Sequence, residues 1–187
     1  MHFMSFPLTK KGGLCGGEAK NDFWKTVYQC TQILPHSKPR YVMGVGFPLD
    51  LVVCVALGAD MFDCVYPCRT ARFGTALVRS GELHLKSSQF KFDFAPIDDT
   101  CTCSTCLHYT RAYLHTVATK ESTAASLLTV HNIYYLLNLM KQMRTHIQNG
   151  SFHSFVKEFM HNMFPNGPKT YPTWCIAAFH TVGIDFS

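Results

Sequence analysis

The sequence predicts an α/β fold whose strands run parallel and are joined by β/α crossovers. Three observations carry this. Between Glu18 and Tyr66 the apolar patterns read helix, strand, helix, strand, with short joints. Parallel pairing requires crossovers of that kind, because a tight hairpin joins only antiparallel strands. The strand candidates are short apolar runs bounded by Gly or Pro, which reads as buried strand. Finally, 187 residues, 47% hydrophobic and 16% charged, suffice for one domain with a real core.

Each element has its own reasons. Thr9 to Gly17 is a loop whose four glycines let backbone groups approach a ligand closely, although it is neither G-x-G-x-x-G nor a Walker loop. Glu18 to Leu34 is a helix with Phe23, Val27, Cys30 and Leu34 on one stripe, stopped by Pro35. Lys38 to Gly46 is a basic lead-in to a short strand that ends in glycines. Pro48 suits the first turn of a helix running Leu49 to Leu57, with Gly58 as its stop. That helix is apolar nearly all round, which predicts burial between layers.

Met61 to Tyr66 is the next strand, ended by Pro67, with one carboxylate, Asp63, inside it. Arg69 and Arg72 follow in what reads as a loop closed by Gly74. An anion held by the arginines would bring an electrophile to Asp63; equally, Asp63 and Arg69 would make a plain ion pair. Gly44, Gly46, Asp63 and Arg69 all fall at carboxyl ends of strands, the edge that carries sites in parallel folds.

The rhythm then changes. Leu77 to Leu85 reads as a hairpin turning near Gly81, and Phe90-Lys-Phe-Asp-Phe94 alternates with period two, as a strand does. This antiparallel excursion leads into Cys101-Thr-Cys-Ser-Thr-Cys106. Three thiolates at C-x-C-x-x-C spacing face one ion well, and zinc is the ion that favours them; three reduced thiols in a loop is the plain alternative. His108, His115 and His131 compete for the fourth position. His108 is crowded by Cys106, and His115 lies roughly 13 Å along a helix. His131, brought back by the polar turn Lys120 to Thr123, is the preferred ligand.

The helix bearing it runs Thr123 to Ile147, with Val130, Ile133, Tyr134, Leu137 and Met140 as its core stripe. A last helix, Phe152 to Met163, precedes a tail from Pro165 that reads as packed covering structure.

Composition narrows the function class. The formal charge of +5 is spread along the chain, which permits an anionic partner without demanding one. No window reaches about 18 uninterrupted apolar residues, so no membrane span is expected. The first residues lack the basic head of a signal peptide. Nine cysteines, an odd number, with three crowded together and no secretion signal, favour metal binding in a reducing compartment over disulfides.

In combination, Gly12-Gly-Leu-Cys-Gly-Gly-Glu18, Arg40-Tyr-Val-Met-Gly-Val-Gly46, Asp60-Met-Phe-Asp-Cys-Val-Tyr-Pro67, Arg69-Thr-Ala-Arg72, the cysteine knuckle and Thr129-Val-His-Asn132 resemble the tRNA-guanine transglycosylase family. The likeness runs from Gly12 to the end. It implies the carboxyl-terminal part of a (β/α)8 TIM barrel with an inserted zinc-binding subdomain. Residues 1–74 would be barrel units carrying the nucleophile and RNA segment, and 75–187 the zinc insertion and final helices.

It further implies exchange of guanine for queuine at the tRNA wobble position. Asp63 would be the nucleophile forming a covalent intermediate with the ribose, a task that suits a carboxylate because the transition state is oxocarbenium-like. Gly13, Leu14 and Met43 would meet the base. Gly44, Val45, Gly46, Phe47, Pro48, Leu49 and Asp50, with Cys68, Arg69, Thr70, Ala71 and Arg72, would contact the anticodon loop around a flipped base. Cys101, Cys103, Cys106 and His131 would hold one structural Zn2+. The resemblance also implies a heterodimer with a noncatalytic homologous subunit and a cytoplasmic location, with association at the mitochondrial outer membrane.

Two departures stand out. Cys68 occupies a position where the family has Thr. The family's proton-accepting Asp and base-reading side chains lie in earlier strands, and no carboxylate here matches them. The chain alone is therefore expected to be inactive and loosely packed around its zinc lobe. The alternative function is a zinc-containing RNA- or subunit-binding form without catalysis.

Overall fold

A computed structural model describes residues 19–120 and 123–186. The Gly-rich loop, with Gly13 and Leu14, lies outside the described residues. The chain divides into two compact units, residues 1–64 with 146–187, and residues 65–145.

The first unit contains the expected crossover. Helix α1 (Lys20–Ile33) leads to strand β1 (Tyr41–Met43), helix α2 (Pro48–Ala56) and strand β2 (Met61–Asp63). β1 and β2 pair in parallel with Tyr41 opposite Met61, Val42 opposite Phe62 and Met43 opposite Asp63. Pro48 starts α2, as its fixed φ and missing N–H allow. Every residue from Pro48 to Cys54 is buried, as the all-round apolar sequence required.

Gly58 turns the chain out of α2 at φ +101, and an added Cβ would stand 2.8 Å from Arg40 Nη1. Only glycine leaves room for Arg40 to donate to the Gly58 carbonyl at 3.0 Å.

The tail, expected only as packed covering structure, supplies a helix. α8 (Thr173–Thr181) packs on α1 and α2, with Cys175, Ala178 and Phe179 inward. α7 (Phe152–Met163) matches the expected bounds and buries Phe155, Val156, Phe159, Met160 and Met163.

In the second unit, helix α3 (Tyr66–Arg72) precedes an antiparallel hairpin, β3 (Thr75–Val78) with β4 (Gly81–His84). The arginines therefore stand on a helix, not in a loop. β2 stops at Asp63, short of the expected Tyr66, and Pro67 lies in the first turn of this helix, where its fixed φ fits. Phe90–Phe94 is not a strand either. Ser88–Phe90 forms one 3-10 turn, and Asp93 then bends the chain by accepting from the Ala95 N–H at 3.0 Å and from Arg111 at 3.0 Å. Phe90 is buried, whereas Phe92 and Phe94 are exposed. Period-two alternation there had no sheet to join.

Short α4 (Ser104–His108) and α5 (Arg111–Lys120) follow, then the long α6 (Thr123–Gln148). The core of this unit gathers Ala76, Val78, Leu85, Phe90, Ile97, Leu114 and Leu128 with Cys103 and Cys106.

α6 corrects the expected stripe. It buries Ala124, Leu128, His131, Asn132, Leu136, Leu139 and Met143. Val130, Ile133, Tyr134 and Leu137 are exposed and Met140 half-buried. Two polar residues decide the rotation, because each has buried partners that no other facing would satisfy. His131 Nε2 lies 2.8 Å from the Leu77 carbonyl. The Asn132 amide accepts from the Leu77 N–H at 2.9 Å and donates to the carbonyls of Thr75 at 3.0 Å and Pro67 at 3.1 Å.

Candidate functional site

Two separate constellations carry chemistry. The first stands at the carboxyl ends of β1 and β2. Parallel register sets Met43 beside Asp63, so Asp63 ends its strand next to the turn that leaves β1. Gly44 makes that turn at φ +77, a left-handed conformation that suits glycine. Its N–H points to Asp63 Oδ1 at 3.2 Å. The Tyr41 hydroxyl donates to the same oxygen at 2.5 Å. That hydrogen bond, then desolvation and the Asp63 charge, raises the Tyr41 hydroxyl above the usual phenol range, so it stays a donor.

Both hydrogen bonds fall on Oδ1. The carboxylate is oriented by one oxygen and its Oδ2 accepts no hydrogen bond among the described residues. Asp63 is exposed, not buried as a carboxylate inside an apolar strand suggested. Three-residue β2 is too short to cover it. Exposure removes the desolvation cost that made the buried placement puzzling.

The remaining expected site residues divide by exposure. Met43 and Gly44 are exposed and Phe47 half-buried. Val45, Gly46, Pro48, Leu49 and Asp50 are buried. Asp50 pairs with Lys20 Nζ at 2.6 Å, and burial holds its carboxyl above the usual range. On α3, Cys68, Arg69 and Arg72 are exposed, Thr70 is half-buried and Ala71 is buried. Both arginines lie in the last turn of α3, where cations also complement the helix dipole.

The second constellation is the metal knuckle. Cys101, Cys103, Cys106 and His131 bring their ligand atoms within 4.8 Å of one another. His131 Nδ1 lies 3.7, 3.5 and 3.3 Å from the sulfurs of Cys101, Cys103 and Cys106. A tetrahedron with ordinary zinc–sulfur and zinc–nitrogen bonds has a sulfur–nitrogen edge of roughly 3.6 Å. The donor set therefore fits one structural zinc.

The tautomer is fixed as well. A carbonyl only accepts, so Nε2 carries the proton given to Leu77, and Nδ1 presents its lone pair to the thiols. Burial lowers the His131 pKa, which keeps the ring in its neutral, ligating form. Burial first, and then mutual repulsion, pushes the Cys106 thiol up, so a cation is what makes three thiolates stable together. The other two candidates are turned elsewhere. His108 Nδ1 faces the Ser104 carbonyl at 2.8 Å, and His115 Nδ1 the Leu85 carbonyl at 2.7 Å.

Two residues escaped the sequence reading. Tyr41 precedes Met43 by two, so strand alternation puts it on the face that meets Asp63. Asn132 is a polar neighbour of His131 in an apolar helix, and a fully buried polar pair is the signal that would have found it.

A parallel β/α unit ending in an oriented carboxylate, together with a closed Cys3His knuckle, defines a zinc-stabilised α/β protein. The family model described as queuine tRNA-ribosyltransferase matches residues 1–165, and the chain belongs to that family. The queuine tRNA-ribosyltransferase catalytic subunit of Schizosaccharomyces pombe is 49% identical over 181 residues, 93% of this chain and 45% of the relative. Its Caenorhabditis elegans counterpart is 54% identical over 154 residues, 82% of this chain and 38% of the relative. The queuine tRNA-ribosyltransferase of Deinococcus radiodurans is 46% identical over 169 residues, 90% and 42% respectively. The chain thus spans less than half the length of these relatives. No helix among the described residues is long and apolar enough to cross a membrane.

Proposed function

We propose that this chain carries the nucleophile, the RNA-facing helix and the zinc lobe of a tRNA-guanine transglycosylase built on a (β/α)8 barrel. The supporting observation is Asp63, fixed through Oδ1 at a strand end, with Oδ2 accepting no hydrogen bond among the described residues. Asp63 Oδ2 attacks the ribose anomeric carbon at the wobble position as the glycosidic bond breaks. Guanine leaves with the bonding electron pair and takes up a proton. Queuine, having lost the corresponding proton, attacks the same carbon and expels the carboxylate. Two displacements retain the stereochemistry, as in retaining glycosidases.

Gly13, Leu14 and Met43 line the base site, and the exposed parts of Gly44 to Asp50 and of Cys68 to Arg72 face the anticodon loop. Residues 1–74 form barrel units, and 75–187 the zinc insertion and the final helices. Zinc lends the knuckle its shape and takes no part in the exchange. A noncatalytic homologous subunit is the proposed partner, in the cytoplasm and at the mitochondrial outer membrane.

The proton steps at the base fall to carboxylates that belong to earlier barrel strands. The 187-residue chain alone is therefore expected to exchange no base. Adding the amino-terminal part of the Schizosaccharomyces pombe relative should supply them. Purified chain, cognate tRNA and labelled guanine test this. Incorporation by the chain alone would show that it builds a working site unaided; none in either mixture would favour the second reading, a noncatalytic RNA- or subunit-binding form.

Arg72 gives an independent handle on RNA. Its guanidinium is exposed, so Arg72→Ala should weaken anticodon stem-loop binding and, for a phosphate contact, lower the salt slope by about one unit. A base-edge contact would instead relax discrimination at one anticodon position. Binding unchanged in strength, slope and selectivity would leave the arginine only its role at the helix end.

A further inference from the structure

The zinc knuckle and α3 are joined through two adjacent side chains of α6. His131 belongs to the metal site, and its other ring nitrogen holds the Leu77 carbonyl. Asn132, fully buried, holds four groups at once. Its Oδ1 accepts from the Leu77 N–H, and its Nδ2 reaches the Pro67 carbonyl, the Thr75 carbonyl and Thr70 Oγ1 at 3.2 Å. Pro67 and Thr70 are both in α3, one in its first turn and one in the turn bearing Arg69 and Arg72. α3 has seven residues, far short of the length at which a helix holds itself. Thr70 Oγ1 donates in turn to the Tyr66 carbonyl at 2.7 Å, and the Tyr66 hydroxyl bonds Glu82 of β4.

We propose that Asn132 is a positioning residue that couples metal binding to the order of α3, and with it to the presentation of Arg69 and Arg72. Metal at Nδ1 fixes the His131 ring, and the ring and Leu77 fix this turn of α6. The next residue then meets α3 in one register only. Without that register the buried carbonyls of Pro67 and Thr75, the half-buried Thr70 Oγ1 and the Leu77 N–H lose Asn132 together, which is why the contact has two states and not a gradual one. The consequence for RNA rests on the reading of α3 given above; the coupling itself does not.

The test uses Asn132→Asp in the full chain. This substitution keeps the acceptor for the Leu77 N–H and removes the amide donors that reach Pro67, Thr70 and Thr75. Zinc content, amide hydrogen exchange and affinity for an anticodon stem-loop are measured. The variant should keep its zinc and the protection of Leu77, while the α3 amides exchange about tenfold faster or more, as local opening becomes easier. RNA affinity should fall by about tenfold, within the usual range of coupling between sites.

Unchanged α3 exchange with zinc retained would overturn the proposal. Faster α3 exchange with unchanged RNA affinity would uphold the coupling and remove α3 from the RNA site. Should the variant not fold, Thr70→Val removes one Asn132 partner at the half-buried edge. Coupling is reciprocal, so this change should lower zinc affinity several-fold in competition with a chelator. Unchanged zinc affinity there would overturn the proposal.

Discussion

Cys103→Ser is expected to release the metal and melt residues 65–145. Cys103 is buried, lies 3.5 Å from His131 Nδ1 and caps α4 by accepting the Cys106 N–H at 3.4 Å. One substitution thus removes a ligand and a helix cap. Structural zinc in small sites supplies apparent binding energy of about 10 kcal/mol, and that is comparable with the whole stability of a typical domain. Elemental analysis should find about one zinc per wild-type chain, as one Cys3His set provides, and none in the variant. Cys68→Ser, at an exposed thiol in the same unit, should keep the metal. A wild-type chain that is folded, soluble and zinc-free would refute the metal assignment.

Asp63→Ala is expected to abolish the covalent intermediate. The assay pairs the chain with the amino-terminal part of the Schizosaccharomyces pombe relative. The wild-type mixture should give a tRNA adduct that survives denaturation. In the variant no adduct should form, and exchange should drop by about 10^4-fold or more, the usual cost of losing a nucleophile. An adduct that persists in Asp63→Ala would assign the attack to another residue.

Features set by short-range chemistry were legible in the sequence. Three cysteines in six positions announce a metal whatever surrounds them. Pro48 and Gly58 delimit α2 because φ at each is a property of the residue itself. Features set by distant partners were not. α6 carries apolar residues on more than one face, so its pattern alone leaves the rotation open. Asn132 settles it through Pro67, 65 residues away in sequence. α3 was hidden because Pro67 suits a strand's end and a helix's first turn alike, and only Cys64 and Val65 separate β2 from α3. The alternation of Phe90, Phe92 and Phe94 mimicked a strand, and only the reach of Arg111 back to Asp93 shows a bend. Tyr41 needed the β1–β2 register, which depends on both strands at once.

The chain also labels its own halves. Its two tryptophans, Trp24 and Trp174, both belong to the unit formed by residues 1–64 and 146–187, whereas all four metal ligands belong to residues 65–145. Indole fluorescence therefore reports on one unit without any engineered probe. Cobalt in place of zinc would add a visible absorption band that reports on the other. A single denaturant titration followed in the ultraviolet and in the visible yields two unfolding curves from one unmodified polypeptide. Coincident midpoints would mark one cooperative transition, and separated midpoints would rank the two units by stability.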